Sequence, residues 1–253
     1  MRQINILTKL FFENLVRDKF FVFIFFIGAV FALISVLFNE ISYGADDFVI
    51  RSFSHGFLSI SLNFLSIYFG LSLVHSEAMK SSIVLLLCKP IRRIDLILGA
   101  VFAFVAALTV SLLFAIIEFR VILGAYDFKL DAHFYYGLVG VFFEACLMFL
   151  ISMLLRLFTN SLISVFFVIA LYFLGHGIED LLNLQFFADN QNLREVMSFI
   201  SKILPSFSKF NFKDLAVDAI NSKIIWSGTL YFSLAFGVIC SAIGFIFSRR
   251  DYS

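Results

Sequence analysis

The sequence predicts an all-α membrane protein with six transmembrane helices, and three observations lead to this prediction. The 253-residue chain is 61% hydrophobic and 15% charged, whereas soluble domains are about 45–50% apolar and about 25% charged. Its apolar runs are long and are separated by short polar breaks. A helix satisfies every backbone group within its own segment, and roughly 20 apolar residues cross a bilayer core of about 30 Å. The predicted spans are 20–38, 56–74, 96–117, 134–155, 161–177 and 224–247.

An amphipathic helix is predicted before the first span. Its apolar residues recur at helical spacing, and they are Ile4, Leu7, Leu10, Phe11 and Leu15. Lys9 and Glu13 fall on other faces, as in a helix that lies in the membrane interface. The long charged segment from Arg2 to Lys19 also differs from the short basic start of a secretory signal, so we expect it to stay in the mature protein.

The distribution of Lys and Arg predicts the orientation. Six spans place both termini on one side, together with the loops after the second and fourth spans. The basic residues of that side are Arg2, Lys9, Arg17, Lys19, Lys80, Lys89, Arg92, Arg93, Arg156, Arg249 and Arg250. The short loops of the other side contain only Arg51 and Lys129, with Arg120 at a span end. The positive-inside rule therefore predicts cytoplasmic termini.

The connection between the second and third spans is predicted to contain a short amphipathic helix at the cytoplasmic surface. Ser76 can cap this helix, and Glu77 stands at the positive end of its dipole. Pro90 forces a break before the third span, and Arg92 and Arg93 add a basic cluster. A plain loop whose charges bind lipid headgroups is the alternative.

The segment 178–223 is predicted to lie outside and to be helical in part. An apolar stripe with helical spacing comprises Leu193, Val196, Met197, Ile200, Ile203 and Leu204. Charged residues stand opposite and Pro205 ends the pattern, which indicates an amphipathic helix on the outer membrane surface. A second short helix is predicted around 213–221.

These features resemble the permease subunits of export-type ATP-binding-cassette transporters. The residues that match the family pattern after the second span are Glu77, Leu85, Leu86, Leu87, Pro90, Arg93 and Gly99. The order of the interfacial helix, six spans, external helices and basic C-terminal tail also has counterparts in that family, so the resemblance covers the whole chain.

Leu204-Pro205-Ser206-Phe207 is similar to a Leu-Pro-Asn-Phe-type element of one branch of the family. That branch is associated with copper-enzyme maturation and gliding systems. Two positions depart from the pattern, because Ala78-Met79-Lys80 replaces the usual Arg-Gly pair and Ala100 stands where Lys is common. The motif identifies a family rather than a substrate.

The resemblance implies a single permease domain over 1–253 in the cytoplasmic (inner) membrane. Within it, 1–19 would form the interfacial helix, 20–177 five spans with the coupling loop 76–94, 178–223 the external segment, and 224–253 the last span and tail. Two permeases, identical or homologous, would form the pathway, and two separate ATPase subunits would dock on the coupling loop. The residues assigned to coupling are Glu77, Lys80, Lys89, Pro90, Arg92 and Arg93.

Nucleotide binding is expected in the partner ATPase rather than in this chain. The sequence contains no Gly-x-x-x-x-Gly-Lys-Ser/Thr phosphate loop. ATP and Mg²⁺ would therefore be held by the partner, and no cofactor is expected here. Lipid is the other expected partner, and the net charge of +1 gives no basic face for nucleic acid.

Polar residues inside the spans suggest a transport pathway. Ser59, Asn63 and Ser66 share a face of the second span, and a face of the fifth can carry Ser161, Ser164 and Tyr172. The resemblance implies that these two spans line the route. The alternative is that Ser and Asn only join helices by hydrogen bonds of about 1 kcal/mol each.

Glu144 near the middle of the fourth span is a further pathway candidate. A charge at that depth costs about 2.5–3.5 kcal/mol, so it should face protein or water, pair with a cation or stay protonated. It could serve either packing or passage of a polar group.

Enzymatic activity is not predicted, but other membrane functions stay open. The four His residues include no pair at i, i+4, and the three Cys residues form no spaced metal cluster. His176-Gly177-Ile178-Glu179-Asp180 is interpreted as an interfacial cap. A secondary carrier or channel is the first alternative, although Pro-broken spans are missing. A non-transporting membrane scaffold is the second. Lipid, glycan, peptide, ion and metal-sulfur cargo are all compatible with the sequence.

Overall fold

The protein is all-helical in the part of the chain that its computed structural model describes. That part comprises residues 2–19, 22, 26–30, 33–34, 37, 46–73, 92–124, 132–182, 195, 199, 201, 204–212 and 222–249. It contains six α-helices, which are α1 (Arg2–Arg17), α2 (Asp46–Leu73), α3 (Arg93–Gly124), α4 (Ala132–Phe158), α5 (Ser161–Leu182) and α6 (Ser222–Arg249). A 3-10 helix covers Phe207–Phe210.

Three of these helices are long and apolar enough to cross a membrane: Ile94–Val121, Phe134–Phe158 and Ile225–Phe247. They belong to α3, α4 and α6. A shorter apolar helix covers Ser161–Gly177 in α5. The membrane character of the chain is thus supported by three helices, and the other predicted spans stay predictions.

Helix α4 lies at the centre of the fold. It contacts α2, α3, α5, α6 and the 3-10 helix, and 72% of its most apolar window is buried. Gly70 of α2 allows a close approach, because a Cβ there would lie 2.6 Å from the carbonyl oxygen of Phe149. Phe149 in turn stacks on Phe104 of α3 with ring centroids 4.0 Å apart. The core is therefore built around α4, which is in contact with several other helices.

Helix α1 packs along the first turns of α3. Its buried side chains are Leu7, Phe11 and Leu15, which recur every four residues and so form one face. Gly99 of α3 accepts this face closely, since a Cβ there would lie 2.8 Å from the Cβ of Leu7. At the end of α1, the Tyr68 hydroxyl donates a hydrogen bond to the Asp18 carboxylate at 3.2 Å. These contacts bring residues 2–18, the start of α3 and the end of α2 to one end of the bundle.

Several predicted features lie outside the described residues. Residues 74–91 are among them, and they include Glu77, Lys80, Lys89 and Pro90. Arg92 is exposed and directly precedes α3, which begins at Arg93. Most of the stripe 193–204 and all of 213–221 are also outside this part of the chain.

Candidate functional site

Glu144 is held inside the helix bundle by polar groups from two neighbouring helices. Its side chain lies on α4 and the residue is 5% exposed. The Asn63 amide donates to Oε1 at 2.8 Å, and the Ser59 hydroxyl reaches Oε2 at 3.5 Å. From α5, Nε2 of His176 lies 3.3 Å from Oε1. The carboxylate therefore faces protein, as a mid-span acid requires.

The helical spacing of the partners explains why they meet at this carboxylate. Ser59 and Asn63 are four residues apart and so share a face of α2. The Asn63 amide nitrogen donates to the Ser59 carbonyl at 2.9 Å, which sets the orientation of the amide because a carbonyl only accepts. Tyr172 and His176 are likewise four residues apart on α5, and their ring centroids are 4.7 Å apart. The Tyr172 ring centroid also lies 6.4 Å from that of Phe207.

A cavity of about 90 Å³ adjoins the Glu144 carboxylate. This volume corresponds to about three water molecules. Its lining residues are His55, Ser59, Gly137, Val141, Glu144, His176, Phe207, Phe210, Asn211 and Phe212. The titratable side chains that line the cavity come from α2, α4 and α5. The aromatic side chains that line it come from 204–212. One side of the cavity can thus bind polar groups, and the other can cover apolar ones.

The segment 204–212 is seated on the bundle by buried aromatic side chains. These are Phe207, Phe210 and Phe212, each at most 3% exposed. Glycines on three different helices leave space for this segment, and they are Gly140, Gly175 and Gly228. A Cβ at Gly228, for example, would lie 2.7 Å from Cζ of Phe212. The segment that resembles the Leu-Pro-Asn-Phe-type element therefore forms one wall of the cavity.

Four of the predicted pathway residues meet in this cluster: Ser59, Asn63, Glu144 and Tyr172. Ser66 does not join them, because it is fully buried and donates to the carbonyl of Leu62 in its own helix at 2.7 Å. The two Ser residues of α5 lie at the opposite end of that helix.

Ser161 is exposed at the first residue of α5. Ser164 is buried and donates to the Asn160 carbonyl at 2.9 Å, and its hydroxyl lies 2.7 Å from that of Thr159. These bonds satisfy the turn between α4 and α5. They account for Ser164 without a pathway, and Ser161 lies on the surface.

Two His residues of the site were not predicted from the sequence. His176 was interpreted as part of an interfacial cap, and His55 was given no role. His55 is 4% exposed, and its ring centroid lies 4.6 Å from that of Phe134. The missed signal is spacing, because His55 precedes Ser59 and Asn63 at four-residue intervals and His176 follows Tyr172 by four.

Two charged residues near the end of α3 lie apart from the cluster. The Arg120 guanidinium donates to the Tyr135 hydroxyl at 2.7 Å and 3.1 Å. Glu118 lies beside the first predicted span, since a Cβ at Gly28 would be 3.2 Å from its Oε2. Helix ends and neighbouring helices thus account for these two residues.

The cluster offers acceptors, imidazoles and a cavity, but no metal-binding group. Among the residues that the structure describes, no three or more His, Cys, Asp or Glu side chains are arranged to hold a metal ion. No protein-family model matches this chain, and no curated protein matches it. What the site can do chemically is hold a proton or a small polar group in a low-dielectric setting.

Proposed function

We propose that this chain is the membrane-spanning permease subunit of an export-type ATP-binding-cassette transporter. Two permeases would form the pathway, and two separate ATPase subunits would drive it. The observation that carries the proposal is the buried Glu144 cluster, which lies beside a cavity inside the bundle.

The energetics of the cluster favour a pathway over simple packing. An ionisable side chain at mid-span costs about 2.5–3.5 kcal/mol, and such residues commonly mark routes for ions and polar substrates. Packing needs no cavity, yet Ser59, Glu144 and His176 all line one of about 90 Å³. A route for a polar group explains both the acid and the space beside it.

The connection 74–91 is the element through which ATP hydrolysis would act. It joins the end of α2 to the start of α3, and α2 carries Ser59 and Asn63. A displacement of this connection by a docked ATPase would move α2 against α4 and so change the hydrogen bonds to Glu144. The resemblance of Glu77, Pro90 and Arg93 to the family pattern supports this role.

In the proposed topology, six spans cross the cytoplasmic membrane and both termini are cytoplasmic. The contact between Leu7 and Gly99 supports one part of this topology, because it brings α1 and the first turns of α3 to the same end of the bundle. Helix α1 would lie in the cytoplasmic interface, where its exposed Ile6 and Leu10 can enter lipid. The cavity would then be in the outer half of the membrane.

A secondary carrier is the second candidate. The observation that favours it is the contact of His176 with Glu144 at 3.3 Å, since carriers use such pairs as proton relays. A carrier would need no ATPase subunit, and this difference separates the two candidates.

Purification from native membranes tests the proposal. An affinity-tagged chain should retain a second protein with a phosphate-loop sequence in a one-to-one ratio, as quantified by mass spectrometry. The reconstituted complex should hydrolyse ATP, and vesicles should move cargo only with ATP. A chain that purifies without an ATPase and still transports would overturn the proposal in favour of the carrier.

A Pro substitution in the coupling loop sharpens this test. Leu86→Pro should release the ATPase or uncouple hydrolysis from transport, because a Pro inside a helix costs about 3 kcal/mol. Leu86→Ala is the matched control, since Ala supports a helix. If assembly and transport survive Leu86→Pro, this loop does not dock the ATPase.

A further inference from the structure

The hydrogen bonds of His176 determine where its protons lie. Its Nδ1 is 3.1 Å from the carbonyl oxygen of Tyr172, one helical turn earlier. A carbonyl oxygen only accepts, so we assign a hydrogen to Nδ1 in this contact. In a neutral imidazole with this hydrogen, Nε2 has a lone pair and no proton.

The contact of Nε2 with Glu144 requires one more proton. Nε2 lies 3.3 Å from Oε1, and an ionised carboxylate also presents only lone pairs. Two lone pairs at this distance repel each other. Either His176 is an imidazolium, or Glu144 is a carboxylic acid that donates to Nε2.

We infer that Glu144 and His176 hold one shared proton inside the bundle, and that a small organic ammonium ion entering the adjoining cavity replaces this proton. The inference goes beyond the proposed function, because binding and exchange at this site need no ATPase.

The cavity has the chemistry to receive an ammonium group. From the described part of the chain, Oε2 of Glu144 accepts one long bond of 3.5 Å from Ser59, which is weaker than the bond that an ammonium group could donate. The Ser59 hydroxyl lines the same cavity and can accept a second N–H. Phe207 and Phe212 bound the cavity as well, and aromatic walls favour organic cations over hydrated inorganic ones. A methylammonium ion is smaller than this cavity of about 90 Å³ and so can enter it.

The exchange conserves charge. Before it, the imidazolium and the carboxylate sum to zero, and the ammonium ion is in water. Afterwards the ammonium pairs with the carboxylate and donates one N–H to Nε2 of His176, which lines the same cavity, in place of the lost proton. The imidazole is then neutral, and the proton has left to water. Entry of the cation without proton release would place two cations, the ammonium and the imidazolium, beside the single buried carboxylate of Glu144, and these two like charges repel each other.

Other titratable side chains lie on the helices and on the segment 204–212 that surround the Glu144–His176 pair. Among the side chains that the structure describes, four have their own contacts: His55 on the cavity wall, Tyr172 with its ring centroid 4.7 Å from that of His176, Lys209 over the ring of Tyr231 at 4.4 Å, and Arg120 on Tyr135. Lys209 and Arg120 are exposed. The pair Glu144–His176 is therefore the group expected to exchange.

Proton release on addition of methylammonium tests the inference. The purified chain in detergent, lightly buffered with a pH indicator, should release about one proton per chain when methylammonium chloride is added, because cation and proton compete for one carboxylate. Potassium chloride at equal ionic strength corrects for salt effects. Glu144→Gln and His176→Gln should abolish the release, whereas Glu118→Gln, which removes a different intramembrane acid, should leave it unchanged.

Nitrogen-15 NMR of labelled histidine reports on the protons of His176 directly. If His176 had only a structural role, its nitrogen signals would not change when methylammonium is added. The chain has four His residues, so His176→Gln identifies the signal of His176. Methylammonium should change the Nε2 signal of His176 and leave its Nδ1 bonded to hydrogen. Because the His176 side chain is 39% exposed, His176→Gln should fold even if Glu144→Gln does not.

The inference would be supported if the wild-type chain releases the proton and if the release is lost in whichever of the variants Glu144→Gln and His176→Gln folds. The absence of release from the wild-type chain, or equal release from His176→Gln, would overturn it. Neither result depends on an ATPase, so failure here is distinguishable from failure of the proposed function.

Discussion

Helices α4 and α6 are almost equally apolar but have opposite positions in the molecule. Their most apolar windows have mean hydropathies of 2.4 and 2.2, yet 72% of the α4 window is buried and only 17% of the α6 window. Apolar composition therefore says that a helix avoids water. It does not say whether the helix packs against protein or faces outward, because lipid tails are as apolar as Leu.

Two exposed Ser residues of α6 and the buried acid of α4 show the same difference. On α6, Ser233 and Ser241 are exposed and donate to carbonyls one turn earlier at 2.9 Å and 2.7 Å. On α4, Glu144 accepts its hydrogen bonds from a different helix. These exposed Ser side chains are thus satisfied within their own helix, whereas Glu144 joins α4 to a neighbouring helix.

The largest effect is expected from a cavity made in α4. Leu147→Ala should lower the free energy of unfolding by about 3 kcal/mol, because Leu147 is 0% exposed and the space it leaves would stay unfilled. Leu234→Ala on α6 is the matched control, since Leu234 is 62% exposed and should change stability by less than about 0.5 kcal/mol. Unfolding in mixed micelles measures both. Equal losses would mean that α6 is not peripheral.

Replacing a glycine by alanine should also distinguish the buried surface of α4 from the exposed surface of α6, with a smaller effect on stability. Gly70→Ala should cost about 2 kcal/mol, because its Cβ would lie 2.6 Å from both the Phe149 oxygen and the Ser152 Cβ. Gly237→Ala on α6 meets nothing within 4 Å and should be neutral or stabilising. Thermal unfolding of the two variants provides the comparison, and a tolerated Gly70→Ala would contradict the close contact of α2 with α4.

Glu144→Gln should change stability by only about 1 kcal/mol, because Gln keeps the shape and an acceptor for Asn63. Transport should nevertheless be lost, since the titratable charge is gone. Glu118→Gln is the control for loss of an acid elsewhere in the membrane. Loss of folding in both Glu144→Gln and Glu144→Ala would make the residue structural rather than mechanistic.

The smallest effect on stability is expected from the Cys substitutions used for labelling. Their labelling determines which end of the helix bundle faces the outside of the cell. Asp46→Cys at the start of α2 should react with an impermeant thiol reagent in intact cells, as should Asn190→Cys. Cys88 should react only after permeabilisation, and Cys146 is buried. Labelling of Cys88 from outside would invert the proposed orientation of α4, α6 and the cavity.

Much of the candidate site could be predicted from residue spacing. Four-residue intervals on single helices relate Ser59 to Asn63 and Tyr172 to His176, and the position of Glu144 within an apolar run predicts that it is buried. Such relations are local, because helix geometry alone brings residues i and i+4 to one face. The coupling loop, by contrast, stays a prediction from its sequence pattern.

Composition and periodicity determined that this chain is helical and apolar enough for a membrane, since both properties depend on short stretches of sequence. Only tertiary structure decided that α4 is central and α6 peripheral, and that Ser66 and Ser164 are satisfied locally while Ser59 reaches Glu144. It also brought Phe207 against the cavity, 63 residues from Glu144 along the chain. The reason is that which faces meet depends on the close packing of side chains from distant segments, including glycines such as Gly140 that let backbones approach.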